Sequence, residues 1–307
     1  MKIPFRMISH QGAMLKTLSG ILLSSIFPVN RPKTNPAQID DVHVVLPSPS
    51  EELVSQYQQW CTFGIETSDN LRFEQNTQHL PAHLFSQFAL SVCAQQLKQL
   101  RYPLLGIINQ GVGLEVIHPI PLGEPLHITC KMLEVSEDDG KARIHQQLII
   151  GTANIPHCYT ASFHTVFILG RSKKPKTSKE SEVIDFEKIG QWTVEPNDGW
   201  NFALLTGDFN PIHWIGFIAR FSPFKQKVLH GFGMFTRSIE TVQQHFQAPV
   251  KSIHVRFVSP AKLNNQKVSV LVSDESNSEN SGEKEGVRQI ELRDANNKLL
   301  MAGDISL

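Results

Sequence analysis

The sequence predicts an α+β fold made of two similar halves, each with one long helix and an antiparallel sheet. Apolar residues recur at helical spacing over residues 81–100 and again over 230–246, and strand-like segments follow each helix. The first strand after each helix runs into a related sequence, LEVIHPIPL at 114–122 and VRFVSPAKL at 255–263. We therefore expect the two sheets to pair as an internal pseudo-dimer, by analogy with two-fold homodimers.

The first 40 residues predict a helix and a linker. An apolar run at 15–27 follows the basic residues Lys2 and Arg6. This order is typical of a cleaved targeting segment, which is one interpretation of the run. Lys16 interrupts the run, no small-residue cleavage site follows, and the run is too short and too polar to span a bilayer. We favour an amphipathic helix packed on the body of the protein, with the proline-containing residues 31–40 as the linker.

Residues 41–170 predict the first domain. A helix at 47–60 has Ser48 or Ser50 near its N-cap and two glutamates in its first turn. The long helix at 81–100 is apolar on more than one side, which predicts burial. Gly140, in the sequence EDDGK, predicts a hairpin turn. We expect strands at 114–117, 126–134, 143–151 and 158–169, where β-branched and aromatic residues concentrate.

Residues 171–183 predict a linker, because they are rich in lysine and serine and poor in apolar residues. The second domain, at 184–307, repeats the order of the first, with a long helix at 230–246 that carries its aromatic residues on one face. Its strands are expected at 253–258, 268–273, 287–293 and 299–305, with a polar loop at 274–286 between two of them.

The composition narrows the functional class. Lys and Arg total 29 and Asp and Glu total 29, which argues against a nucleic-acid-binding surface over the whole protein. The four cysteines are widely spaced and form no C-x-x-C pair. This pattern favours structural thiols in a reducing compartment, and we expect a cytoplasmic protein. No glycine-rich nucleotide fingerprint is present.

The strongest chemical signal is the sequence TGDFNPIH at 206–213. Asp208 and His213 lie five positions apart, and Asn210 and Pro211 stand between them. Asn is a preferred N-cap and proline is favoured at the first helical position, so a tight turn should precede a short helix from Pro211 to about Arg220. The turn can fold Asp208 back toward His213, and the positive helix end disfavours a protonated imidazole. These residues can form an acid/base pair; a capping carboxylate and a packed surface histidine are the alternative.

The same stretch resembles the G-D-x-N-P-[IL]-H signature of the MaoC-like, (R)-specific enoyl-CoA hydratase family. VLHGF at 228–232 is similar to the start of the family's long helix, and VRFVSP at 255–260 is similar to the strand that follows. The resemblance covers roughly residues 200–270. It implies a double hot-dog fold and reversible addition of water to a trans-2-enoyl thioester, which gives a (3R)-3-hydroxyacyl thioester.

The resemblance also implies roles for individual residues. Asp208 and His213 would act on one water, and the amide of Gly231 would donate to the thioester oxygen. Asn210 and Thr236 would orient the site, with Ser238 as a rival to Thr236. We expect His230 to pack at the start of the helix. The first half lacks the motif, so we expect one catalytic centre per chain, while the first half helps to form the acyl tunnel.

The expected substrate is a thioester of CoA or of an acyl carrier protein, and no cofactor or metal is expected. The lysine-rich linker could alternatively dock an acidic carrier protein or the phosphates of CoA. A non-catalytic acyl-carrier-binding protein and a hot-dog thioesterase remain as other functions. A metal hydrolase is disfavoured because His213 and His230 have no further ligands at a recognisable spacing. Acyl chain length, carrier, direction of reaction and a homodimer of the whole chain stay open.

Overall fold

The computed structural model describes residues 1–17, 38–68, 72–74, 76–170, 185–274 and 286–307. Most of the expected N-terminal helix and linker, the lysine-rich linker and the tip of the loop at 274–286 lie outside these residues. Within the described part, residues 12–17 are helical and Met14 is buried. No helix among the described residues is both long and apolar enough to cross a membrane.

Eleven strands form one continuous sheet in the order β1-β4-β5-β6-β3-β8-β11-β10-β9-β7-β2. Every pairing between neighbouring strands is antiparallel. The strands are β1 (Val42–Leu46), β2 (Glu66–Thr67), β3 (Ile108–Val116), β4 (Leu126–Asp138), β5 (Lys141–Gly151), β6 (Tyr159–Ile168), β7 (Phe186–Val194), β8 (Ser252–Phe257), β9 (Gln266–Ser273), β10 (Val287–Asp294) and β11 (Leu299–Ser306).

The two halves meet where β3 pairs with β8. The order β1-β4-β5-β6-β3 on one side matches β7-β9-β10-β11-β8 on the other, so the sheet has an internal two-fold relation. Gly113 pairs with His254 in this register. The sequence repeat that aligns Leu114 with Val255 also equates Gly113 with His254, which places this pair at the pseudo-two-fold axis. The predicted internal pseudo-dimer is therefore confirmed.

The strand prediction is confirmed for the eight long strands that it included, with ends that differ by a few residues at most positions. The predicted hairpin at Gly140 is also confirmed, because Asp139 and Gly140 both have positive φ, at 50° and 72°. The sequence analysis missed β1, β2 and β7. The two-residue β2 comes from the first half but pairs with β7 of the second half. A strand of the first half therefore forms the edge of the sheet on the side of the second half.

Apart from the helical residues 12–17, the described part contains five α-helices: α1 (Glu51–Thr62), α2 (Ser86–Leu97), α3 (Asp198–Thr206), α4 (Gly216–Phe221) and α5 (Gly231–Phe246). Ser50 caps α1, since its hydroxyl accepts a hydrogen bond from the Leu53 amide at 3.2 Å. The helix α3 was not predicted. The prediction of one long helix from Pro81 is wrong at its first turn, which is a 3-10 helix in which the Leu84 amide donates to the Pro81 carbonyl.

The core lies between the inner face of the sheet and two helices, α2 and α5, which we call the central helices. Phe85 of the first half contacts Phe232 and Phe235 of α5 edge-to-face, with ring centroids 6.0 and 6.1 Å apart. All three rings are buried. Aromatic burial of this kind is a large apolar contribution to stability. Because it joins residues of both halves, each half completes the core of the other.

Candidate active site

The helix α3 and its cap place Asp208. The helix ends at Gly207, whose φ of 77° is left-handed, a conformation that glycine adopts without steric cost. The Gly207 amide donates to the Ala203 carbonyl at 2.9 Å and closes the last helical turn. The Phe209 amide then donates to the Gly207 carbonyl at 2.9 Å. This tight turn, which the sequence predicted, leaves the Asp208 side chain 27 % exposed.

A 3-10 helix at Pro211–His213 places the imidazole. The Asn210 side chain caps it by accepting a hydrogen bond from the Ile212 amide at 3.3 Å, so the predicted N-cap is confirmed. The predicted continuous helix from Pro211 to Arg220 is wrong. Ile215, at φ −100° and ψ 105°, is extended and separates the 3-10 helix from α4.

One ring nitrogen of the buried His213 is already hydrogen-bonded. Its Nδ1 lies 2.8 Å from the carbonyl oxygen of Val228. A carbonyl only accepts, so Nδ1 carries the proton and Nε2 of the neutral ring is a free acceptor. Val228 precedes α5 by three residues, and the central helix therefore fixes the orientation of an imidazole that lies on a different element.

Three side chains converge at this point. A carboxylate oxygen of Asp208 and a ring nitrogen from each of His213 and His230 lie within 4.8 Å of one another. The His213 and His230 rings stack, with centroids 3.6 Å apart and an interplanar angle of 27°. His230 Nε2 also lies 3.0 Å from the backbone carbonyl of Asp208. His230, expected only to pack at the helix start, is thus in direct contact with both members of the predicted pair.

Burial sets the protonation of these groups. It raises the pKa of Asp208, and the nearby His213 and the Asn210 amide act against it. It lowers the pKa of His213, with Asp208 acting in the opposite direction. It lowers the pKa of His230 well below the usual range, and His213 adds to the effect. At neutral pH the site therefore holds two neutral imidazoles beside one carboxyl group.

One carboxylate and two imidazoles form a ligand set that zinc accepts. However, His213 Nδ1 and His230 Nε2 already bond to carbonyl oxygens, which leaves His213 Nε2 and His230 Nδ1 for an ion. This is the one cluster of three such groups that could hold a metal among the described residues. A reaction without a metal stays a prediction, and chelation tests it.

Gly231 occupies the first position of α5, where backbone amides lack helical partners. Within the described residues its amide donates no hydrogen bond. A Cβ at this position would lie 2.7 Å from the ring of Phe257. The chain therefore has no space for a side chain at the point where the resemblance expects a backbone donor.

Thr236 of α5 contacts the first half of the chain. Its hydroxyl is 3.0 Å from the hydroxyl of Tyr57, whose oxygen also lies 2.8 Å from the His83 carbonyl. His83 Nε2 in turn lies 2.7 Å from a carboxylate oxygen of Glu240. Thr236 therefore belongs to a buried network that links the two halves, and its role in orienting the site stays a prediction. The rival Ser238 is no better placed, since its hydroxyl is buried with no hydrogen-bond partner in the described part.

Related sequences stand at the starts of the two central helices, at the 3-10 turn that leads into α2 and at the beginning of α5. HLFSQFALSV at 83–92 and HGFGMFTRSI at 230–239 share a histidine, two phenylalanines and a serine at the same spacing. His83 is thus the counterpart of His230 in the first half. The repeat was visible in the sequence and could have marked His230 as more than a packing residue, because only its half carries the Asp208 motif.

Comparison with known proteins gives one family match and several structures of similar fold. The family model of a MaoC-like domain matches residues 173–295. No curated protein sequence matches the chain significantly. Among solved structures, HtdX of Mycobacterium tuberculosis is 16% identical with a TM-score of 0.64, covering 87% of this chain and 100% of its own. A MaoC-like dehydratase from Phytophthora capsici is 15% identical with a TM-score of 0.66, covering 89% of this chain and 99% of its own.

A conserved hypothetical protein of Mycobacterium tuberculosis, described as having a double hotdog fold, is 7% identical with a TM-score of 0.55. It covers 87% of this chain and 95% of its own. At such identities these structures establish the fold alone, and it is the family match that points to the general hydratase and dehydratase class. The chain has a double hot-dog fold, and residues 173–295 of its second half are similar to the MaoC-like domain.

Proposed function

We propose that the protein adds water reversibly to trans-2-enoyl thioesters to give (3R)-3-hydroxyacyl thioesters. The observation that carries the proposal is the arrangement of Asp208 and His213, whose side chains place a carboxyl oxygen and a ring nitrogen within 4.8 Å of one another. His213 keeps its only proton on Nδ1, bonded to the Val228 carbonyl at 2.8 Å. Its Nε2 can then only accept, and so can Asp208 in its carboxylate form, which suits the two groups to hold the two hydrogens of one water.

The proton balance follows from this arrangement. As the water oxygen bonds to C3 of the substrate, one of its protons passes to Asp208 or His213, and the electron pair of the double bond moves toward the thioester carbonyl. The acceptor then returns the proton to C2 as the carbonyl reforms. The proton on C2 thus comes from the attacking water, because neither group carries another proton to give. Dehydration is the same path in reverse.

The thioester oxygen gains negative charge during this step and needs a donor. We assign this role to the amide of Gly231, which lies at the positive end of the 16-residue helix α5. Asn210 serves the site indirectly by capping the 3-10 helix that carries His213. In this proposal a backbone amide stabilises the developing negative charge, and no cofactor is needed for that step.

We further propose a division of the chain into residues 41–170, which help to form the acyl tunnel, and residues 184–307, which carry the chemistry. Residues 1–40 and 171–183 are then a helix with a linker and a second linker. All four cysteines are free and buried, which suits the cytoplasmic location that we propose. The carrier is CoA or an acyl carrier protein.

The test is the loss of enoyl absorbance with purified protein, over trans-2-enoyl thioesters of several chain lengths on both carriers. We expect turnover, and a (3R) product on chiral analysis. A parallel assay for free thiol distinguishes a thioesterase, which would release the carrier. Tight binding of the thioester without loss of absorbance would contradict the proposal and favour the non-catalytic carrier-binding function.

A further inference from the structure

We propose that His230 is a positioning residue, which holds the Asp208 turn through one edge of its ring and covers His213 with one face. The inference rests on the proposed function for its kinetic consequences, but its structural content does not depend on any substrate. Nothing in the motif at 206–213 requires His230. It reaches the site only because α5 begins beside the turn.

The hydrogen bond to Asp208 fixes the tautomer of His230. Nε2 lies 3.0 Å from the Asp208 carbonyl oxygen, which can only accept, so Nε2 carries a proton. The Asp208 carboxylate is more distant, with Oδ2 at 3.9 Å from the same nitrogen. The bond therefore holds the backbone of the turn and leaves the carboxylate free for water.

The other nitrogen keeps the ring neutral. His230 is 1 % exposed, and its Nδ1 is buried with no hydrogen-bond partner among the described residues. A second proton would create a buried, unpaired N–H on a cation, which strongly disfavours the charged ring. The titratable groups that face His230 are His213 from the 3-10 helix and Asp208 from the turn. A proton on His213 would further disfavour one on His230.

The stacking contact acts on His213. The two rings lie 3.6 Å apart between centroids, so one face of the His213 imidazole is closed to water by a neutral ring. His213 is itself only 9 % exposed, and burial is the main reason for its lowered pKa. Asp208 is the charged group that opposes this effect. Removing the His230 ring should hydrate His213 and let its protonated form persist at higher pH.

Two substitutions separate these contributions. His230→Phe keeps a flat ring over His213 but removes the hydrogen bond to the turn. We expect kcat to fall about ten- to hundredfold, as for a reacting group displaced by a fraction of an ångström, with the acid limb of the pH profile unmoved. His230→Gln keeps an N–H donor for the Asp208 carbonyl but uncovers the ring. We expect the acid limb to move up toward about pH 6.5, the ordinary histidine value.

The matched control is His83→Gln, the same change at the counterpart of His230 in the first half. His83 is equally buried, but it contacts Tyr57 and Glu240 and not the candidate pair. This variant should melt at a lower temperature while the acid limb of its pH profile stays where the wild type has it. A shift in both variants would show that the effect is general destabilisation, and would overturn the inference.

An NMR titration of labelled imidazoles gives a readout without substrate. In the wild type His230 should appear as the Nε2–H tautomer with a pKa well below the ordinary histidine range, and His213 should titrate at higher pH in His230→Gln than in the wild type. This holds even if the protein fails to hydrate any thioester, so failure of the proposed function is distinguishable. If the variants do not fold, the wild-type tautomer still decides: a His230 that titrates with an ordinary pKa would overturn the inference. Variants that keep wild-type kcat and pH profile would do the same.

Discussion

Gly199 offers a sharp test of how the fold positions His213. It lies in the first turn of α3, and a Cβ built there would stand 2.0 Å from the carbonyl oxygen of His213 and 2.9 Å from its carbonyl carbon. A Cβ does not approach closer than about 3.0 Å, so Gly199→Ala must separate α3 from the 3-10 helix by about 1 Å. The opposing atoms belong to the backbone and cannot rotate away as a side chain would.

The expected consequences follow from that displacement. Overpacking of this kind costs about 1–3 kcal/mol of stability. A displacement of about 1 Å at a catalytic group can lower the rate by a factor of about 100. We therefore expect Gly199→Ala to lower kcat/KM in the enoyl absorbance assay roughly a hundredfold, together with a moderate fall in Tm.

Two other glycines provide matched controls. Gly303→Ala, in β11, would bring a Cβ to 1.9 Å from the His254 carbonyl oxygen, in the sheet. It should lower Tm with much less effect on the kcat/KM of the folded protein. Gly216→Ala, three residues after His213, has nothing within 4 Å of the added methyl and should leave both quantities near their wild-type values. If Gly199→Ala were as active as Gly216→Ala, close contact between α3 and His213 would not position the imidazole.

Four further predictions concern the site and the fold. Asp208→Asn and His213→Ala should each lower turnover about two to four orders of magnitude, and the double variant should be little worse, because residues that act on one water are not additive; near-normal turnover in correctly folded single variants would count against the catalytic roles. The pKa of His213 is lower in the folded state than in the unfolded chain, so the unfolded chain binds more protons below about pH 6.5. The contribution of neutral His213 to the free energy of unfolding should therefore be complete above that pH and be lost as the pH falls. On acidification, Tm should fall less in His213→Ala than in the wild type. A fragment of residues 183–307 should aggregate or self-dimerise on gel filtration, because it exposes the edge of β8 that pairs with Gly111 to Glu115 of β3; a monomeric and fully active fragment would contradict the shared sheet. Turnover should survive exhaustive chelation, and a loss that zinc restores would instead assign the cluster of Asp208, His213 and His230 to a metal.

The sequence by itself determined the features that depend on neighbours along the chain. Alternation and β-branched content marked the long strands of both halves, and the turn residues Asp139 and Gly140 fixed one hairpin. Asn210 and Pro211 determined that a helical turn starts there, because capping involves only adjacent residues. The short or edge strands β1, β2 and β7 carry too few residues, or too polar a pattern, to stand out in the same way.

The tertiary structure decided which distant residues meet the motif. His213 bonds to a carbonyl 15 residues away, and His230 reaches Asp208 across 22 residues. Thr236 contacts Tyr57 across 179 residues, which its place in α5 did not suggest. Such contacts depend on how α5 packs against the turn and against the other half, which no local spacing encodes. The proposed acid/base pair was therefore readable from eight consecutive residues, while the contacts of His230 with both of its members appeared only once the helices were packed.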